Sequence, residues 1–225
     1  MNEWMQKDRR RAFEVVDRFE ETVGEYTGAP YVVSVDSCTN ALFLACLFSR
    51  TRFAGGYDDP QWVFQHKAGT YPRVSLPRRT YVGVVQAVRN AGYRVTWRDE
   101  DWRGEYELWP LGIVDAAKRF TSGMYRPRTL TCVSFQAGKL LPIGRGGAIL
   151  TDDAEAAEWL RRARFDGRTE GARCDAPDAI TTPGFHCYLD PPSAARGLWL
   201  MTYVAKDQPD QPDEYEDLST LEAFR

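Results

Sequence analysis

The chain has 225 residues, 43% of them hydrophobic and 27% charged, with a formal net charge of −3. That balance fits one globular core of ordinary size and excludes a bulk electrostatic attraction for nucleic acid or an anionic membrane surface. With only His66 and His186 present, a histidine-rich metal centre is excluded, and no stretch approaches the roughly 18 apolar residues of a membrane span. Met1-Asn2-Glu3-Trp4 does not open a secretory signal. The cysteines (Cys38, Cys46, Cys132, Cys174 and Cys187) are odd in number and form no CxxC pair, so the expected setting is a reducing cytoplasm.

Residues 6 to 27 read as a helix, because Ala12, Val15, Val16, Phe19 and Val23 recur at helical spacing and Gly28 stops the pattern. Tyr31 to Val35 is a short apolar strand, followed by Asp36-Ser37-Cys38-Thr39-Asn40 and an apolar helix from Ala41 to about Phe48. Residues 50 to 72 lack any period and read as a long loop. A strand from Arg73 to Leu76, a helix from Thr80-Tyr81 to about Gly92 and a strand from Tyr93 to Trp97 come next. Strands at 111–114, 130–135 and 147–151 follow, then a helix from Asp152 or Asp153 that carries Ala156, Ala157, Trp159, Leu160 and Ala163. Strands alternating with helices predict an α/β fold: three layers, α/β/α, around a mainly parallel sheet. Residues 1–205 form the expected main domain. Residues 206–225, rich in Asp, Glu, Pro and Gln, are expected to be a flexible acidic tail with a short helix at 218–224.

In open α/β sheets, ligands bind beyond the carboxyl ends of the strands, and several polar residues are predicted to stand there. Ser37, Cys38 and Thr39 precede a helix whose N-terminus favours an anion. Tyr81, at the next strand-to-helix turn, offers an aromatic face to a flat ligand. Asp115 ends one strand; Ser134 ends another and precedes Lys139 by five residues, ahead of the Gly-rich turn Gly144-Arg145-Gly146-Gly147. A lysine and an aspartate at strand ends are what pyridoxal phosphate chemistry requires. The amine forms a Schiff base and the acid keeps the pyridinium nitrogen protonated.

With these residues placed, the chain resembles the DegT/DnrJ/EryC1/StrS family of pyridoxal phosphate-dependent sugar aminotransferases, and its fold the large domain of fold type I. Tyr26-Thr27-Gly28-Ala29 is similar to that family's YxGA, Ser37 to Leu42 to its SGTxAL phosphate cup, and Pro77 to Tyr81 to its PxxTF segment. Val114-Asp115-Ala116-Ala117 resembles its DAA motif, Ser134 to Lys139 with Gly146-Gly147-Ala148 its SFxxxK…GGA, and Gly184 to Leu198 its GxNxRMxExQAAxGL. The resemblance implies that Lys139 and Asp115 are catalytic. It implies cofactor contacts from Ser37, Cys38, Thr39, Tyr81, Asp115, Lys118, Ser134, Lys139 and His186, with no metal. It also implies an amino-acid donor, a nucleotide-linked keto sugar as acceptor, and a homodimer with shared active sites.

The departures from the family pattern are Cys38 in place of a glycine, Lys118 in place of Gln or His, Gln136 and Gly138 within the lysine loop, and His186 in place of Asn. Family members continue into a small domain that closes over the substrate. This chain is expected to lack that domain, which predicts an open site for a bulky acceptor, one completed by a partner chain, or a catalytically dead one. Arg78 and Arg79, flanking Tyr81, are the candidates for a substrate phosphate. The other basic clusters, Arg9 to Arg11 and Arg161, Arg162 and Arg164, read as solvated faces. Two further readings stay open: a decarboxylase or lyase acting on a bulky modified nucleotide or nucleic-acid-linked amino acid, and a non-catalytic scaffold that keeps the fold.

Overall fold

A computed structural model describes residues 3–53, 72–169, 180, 182–212 and 215–224. Its helices are α1 (Glu3–Thr27), α2 (Cys38–Phe53), α3 (Val82–Asn90), α4 (Ala154–Ala163) and α5 (Pro191–Met201). Its strands are β1 (Tyr31–Val35), β2 (Arg73–Pro77), β3 (Arg94–Arg98), β4 (Tyr106–Leu108), β5 (Ile113–Asp115), β6 (Leu130–Ser134) and β7 (Gly147–Thr151). Five strands pair in the order β1-β7-β6-β5-β4, and β2 pairs with β3. Among the described residues, a single backbone bridge joins the two sheets: Ser75 N–H donates to the Trp109 carbonyl at 2.8 Å and Trp109 N–H returns the bond at 3.3 Å.

Side-chain alternation explains the three layers. Along β6, Leu130 and Cys132 join a core with α2, α3 and α4, while Val133 joins a core with α1 and α5. Ile149 of β7 points to the first core, and Ala148 and Leu150 point to the second. Every residue of β6 and β7 is buried, as expected for strands covered on both faces.

The α/β/α architecture therefore stands, but the sheet is mixed rather than mainly parallel. The β2–β3 and β5–β6 pairs are parallel; β1–β7, β6–β7 and β4–β5 are antiparallel. A parallel return in one sheet needs a crossover of about a dozen residues or more: the short link from Leu108 to Ile113 makes β4 and β5 antiparallel, whereas residues 116–129 carry β5 to β6 as a parallel return without a helix. The short strand β4 has no counterpart among the sequence expectations. It holds only three residues, Tyr106, Glu107 and Leu108, too few for an alternation to be visible.

Two more expectations change. Arg164 is not on a solvated face: it is 2% exposed, ion-paired with Glu20 of α1, and donates to the Ser34 carbonyl at 2.7 Å. It ties α1, β1 and the end of α4 together from inside. The acidic segment is also not a loose tail over its described residues. Arg119 grips both carboxylate oxygens of Asp210 at 2.9 and 2.6 Å, and Gln211 N–H donates to the Lys118 carbonyl at 2.9 Å. Leu218 is buried, its N–H donates to the Arg78 carbonyl at 2.9 Å, and two 3₁₀ turns end the run. Ion pairs and a buried leucine supply what composition alone did not reveal. His66 and Cys174, and the side chains of Arg9 to Arg11, lie outside the described residues. The four described cysteines are free thiols and buried. No helix among the described residues is long and apolar enough to cross a membrane.

Candidate active site

A cavity of about 430 Å³ opens beyond the C-terminal ends of β5 and β6, against the N-terminus of α2. That volume is within the usual range for a small-molecule site. Its wall includes Ser37, Cys38, Thr39, Tyr81, Asp115, Lys118, Ser134 and Lys139. Eight of the nine cofactor-contact residues expected from sequence thus meet in one place.

Local chemistry builds each side. Ser37 caps α2: its Oγ accepts from Asn40 N–H at 3.2 Å and donates to Asp36 Oδ1 at 3.2 Å. The hydroxyl is committed to the cap. The first-turn N–H groups at Cys38 and Thr39, which have no acceptor within the helix, carry the positive end of the helix dipole toward the cavity. Strand β7 passes so close beneath this turn that a Cβ on Gly147 would stand 2.5 Å from Cys38 N, so only glycine fits. At the next turn a Cβ on Gly83 would stand 2.6 Å from the Tyr81 ring and 2.9 Å from Thr39 Oγ1, so glycine there lets the ring lie beside the cup.

Asp115 is 4% exposed and, among the described residues, is the one acidic residue on the wall, which also carries Lys118, Lys139 and Arg145. Ala117 N–H donates to its Oδ1 at 2.9 Å and the Tyr106 hydroxyl donates to its Oδ2 at 2.9 Å. Burial pushes the Asp115 carboxyl above its ordinary range; the two hydrogen bonds and the Lys139 charge pull it back. Lys139 moves the other way. Burial, then the neighbouring Lys118 ammonium, lower its basicity, and Asp115 opposes them. A lysine so placed carries a larger fraction of nucleophilic free amine at neutral pH than one in water. Burial, then Asp115, push the Cys38 thiol well up, so it stays uncharged.

Sequence reasoning missed the rim. Tyr215, from the acidic segment, lines the cavity and stacks on Trp102 with ring centroids 6.1 Å apart and planes 17° apart. It lies 6.2 Å from the Tyr81 ring, and Lys118 Nζ stands 5.2 Å from its centroid. Arg145 joins the wall beside the cup and pairs with Asp36 at 2.7 Å. The Gly-Arg-Gly-Gly turn was a visible signal for Arg145; nothing local marks Trp102 or Tyr215.

Three expected residues are elsewhere. His186 is 69% exposed, with Nδ1 3.1 Å from an Asp166 carboxylate oxygen, outside the cavity. The bridge of its backbone with Phe165 pins it beside the end of α4. Arg78 pairs with Asp99 at 2.9 Å and Asp217 at 3.3 Å; Arg79 pairs with Asp101 at 3.1 Å and Asp99 at 3.5 Å. Both guanidinium groups face carboxylates of the chain itself rather than the cavity wall.

The model of the DegT/DnrJ/EryC1/StrS aminotransferase family matches residues 1–124 and 122–211. The chain belongs to this family. No curated protein sequence matches it. Among solved structures, it is similar to a DegT/DnrJ/EryC1/StrS aminotransferase from Brucella abortus at 20% identity, covering 84% of this chain and 58% of that one, with a TM-score of 0.63. It is similar to the sugar aminotransferase CalS13 from Micromonospora echinospora at 21% identity, covering 84% and 60%, with a TM-score of 0.61. A third, NtdA from Bacillus subtilis with bound cofactor PMP, gives 17% identity, coverage of 91% and 54%, and a TM-score of 0.62. These likenesses establish the family fold, and the chain spans well under two thirds of each of the three structures.

Proposed function

We propose that the protein is a pyridoxal phosphate-dependent aminotransferase that moves an amino group from an amino-acid donor to a bulky, nucleotide-linked keto sugar. The observation that carries this reading is the meeting of Lys139 and Asp115 in one cavity, from neighbouring strands, opposite a helix N-terminus. The cavity's chemistry fits the cofactor at three points. The α2 N-terminus and Arg145 suit a phosphate; the Tyr81 face suits a flat ring; Asp115, buried and oriented, suits a protonated ring nitrogen.

When bound, the cofactor supplies an electron sink for the carbanion at the substrate Cα. The chain's own residues do the rest. The first turn of α2 anchors the phosphate end, and Asp115 holds the proton on the ring nitrogen. Lys139 would hold the cofactor covalently, and its amine, once displaced, would carry the proton between the substrate Cα and the cofactor carbon C4′, as amino transfer requires. Trp102 and Tyr215 exclude water from one side and offer an aromatic wall to the acceptor. A homodimer, which brings a second chain to the cavity mouth, and a cytoplasmic setting belong to the same reading.

Reduction with borohydride after incubation with pyridoxal phosphate tests it. Peptide mass mapping is expected to put the label on Lys139 and to find none in Lys139→Ala. A label on another lysine, or none in the wild type, overturns the assignment.

A further inference from the structure

A short chain of hydroxyls starts at Thr80 on the cavity wall, passes behind the wall through Tyr106 and ends on Asp115. Thr80 follows β2, Tyr106 opens β4 and Asp115 ends β5, and they are 2%, 4% and 4% exposed. The Tyr106 hydroxyl donates to Asp115 Oδ2 at 2.9 Å, and Thr80 Oγ1 stands 2.5 Å from the same hydroxyl. A phenol has one proton. With that proton given to the carboxylate, Thr80 must be the donor to the phenol oxygen, so the chain runs one way, from Thr80 to Tyr106 to Asp115. The Trp102 ring packs edge-on against Tyr106 with centroids 4.7 Å apart, and Trp102 Nε1 donates to the Arg79 carbonyl at 2.7 Å, which holds the phenol in place.

We propose that Tyr106, aimed by Thr80, is a positioning residue that keeps Asp115 oriented and ionised toward a pyridinium nitrogen. The role rests on the function proposed above. Two bonds on different oxygens stop the carboxylate from rotating, and each oxygen keeps an acceptor position for the cavity. The need is physical. A carboxylate this deeply buried tends to take up a proton, and a protonated Asp115 has no charge to offer the ring. Among the described residues, the titratable groups that face it are Tyr106 from β4, Cys38 from α2, Cys132 from β6 and Lys139 from the loop after β6. Burial, then Asp115 itself, push the Tyr106 phenol well above its ordinary value, so it remains a donor at every physiological pH. Tyr106 is not on the cavity wall; of the wall residues it touches, Thr80, Trp102 and Asp115, only Asp115 takes its proton.

The test uses pyridoxal phosphate labelled with ¹⁵N in the ring, reconstituted into wild type, Tyr106→Phe, Thr80→Val and Thr80→Ser. The readout is the ring-nitrogen shift, beside borohydride labelling of Lys139 and the cofactor dissociation constant. Wild type is expected to show a protonated ring nitrogen. Tyr106→Phe should move the shift toward neutral pyridine, because the carboxylate, short of a donor, draws the shared proton to itself. The same variant should weaken cofactor binding by about ten- to a hundredfold, the worth of one charge-assisted hydrogen bond. Thr80→Val should move the shift the same way by less, and Thr80→Ser should restore it. A folded Tyr106→Phe whose Lys139 is labelled and whose ring-nitrogen shift equals the wild type's overturns the positioning role alone. A wild type that takes no lysine-linked cofactor overturns the proposed function, and this role with it.

Discussion

The floor and the roof of the cavity are built on different physics. The floor is main chain: Asp115 and Ser134 end fully buried neighbouring strands, and Cys38 and Thr39 sit on a capped helix turn wedged against Gly147. The roof is side chain: Tyr215 is carried over the mouth by a segment held through Asp210 with Arg119, Gln211 with the Lys118 and Gly138 carbonyls, and Asp217 with Arg78. Ladder hydrogen bonds and a packed core make the floor rigid. Partly exposed ion pairs make the roof separable, because each contributes little and salt screens it. The comparison implies a cofactor half that tolerates change above it, and an acceptor half that a few charges control.

The sharpest break of that comparison is on the floor. Asp115→Asn is expected to keep the fold, since the side-chain carbonyl still accepts one of the two hydrogen bonds, while turnover falls by roughly two to four orders of magnitude. Steady-state kinetics beside a circular dichroism spectrum measures this, and near-normal turnover would remove Asp115 from the ring nitrogen. A smaller effect is expected on the roof. Arg119→Ala deletes the two-pronged grip on Asp210 and the pair with Glu105, and should release the 206–224 segment by about 1–2 kcal/mol. Limited proteolysis should cut that segment roughly ten times faster, with borohydride labelling of Lys139 unchanged. If the variant loses the cofactor instead, roof and floor are one unit. The smallest change is expected from replacing both Arg78 and Arg79 with alanine. Their partners, Asp99 and Asp101, are exposed and Asp217 is half-buried, so the loss is below about 1 kcal/mol per pair, and the KM for the acceptor should move less than about threefold. A rise of tenfold or more would return the two arginines to substrate binding.

Lys139, Asp115 and the Ser37–Thr39 turn were legible because each belongs to a local pattern: an apolar run ending in a polar residue, or a cap before a helix. Their convergence follows from one rule of α/β folds, that such strand ends share an edge. Tyr106 was not legible. It lies on a three-residue strand, and its function depends on Thr80, 26 positions away, and on Asp115. The acidic run from 206 to 225 misled for a related reason. Composition recorded its charge, but not the arginines that would meet it.

By itself, then, the sequence determined helices α1 to α4, most of the strands and the polar residues at their ends, because hydrophobic period, caps and glycine turns act over a few residues. Only the tertiary structure decided which way the strands run, that Arg164 is buried against Glu20, 144 residues away, and that His186 turns to Asp166 instead of the cavity. It also decided that Asp210 finds Arg119 across 91 residues and that Tyr215 joins the cavity that Lys139 lines. A charge or a hydroxyl carries no mark of its partner. Its role is set by what the folded chain places within three ångströms of it, and for these residues that neighbour comes from a distant part of the sequence.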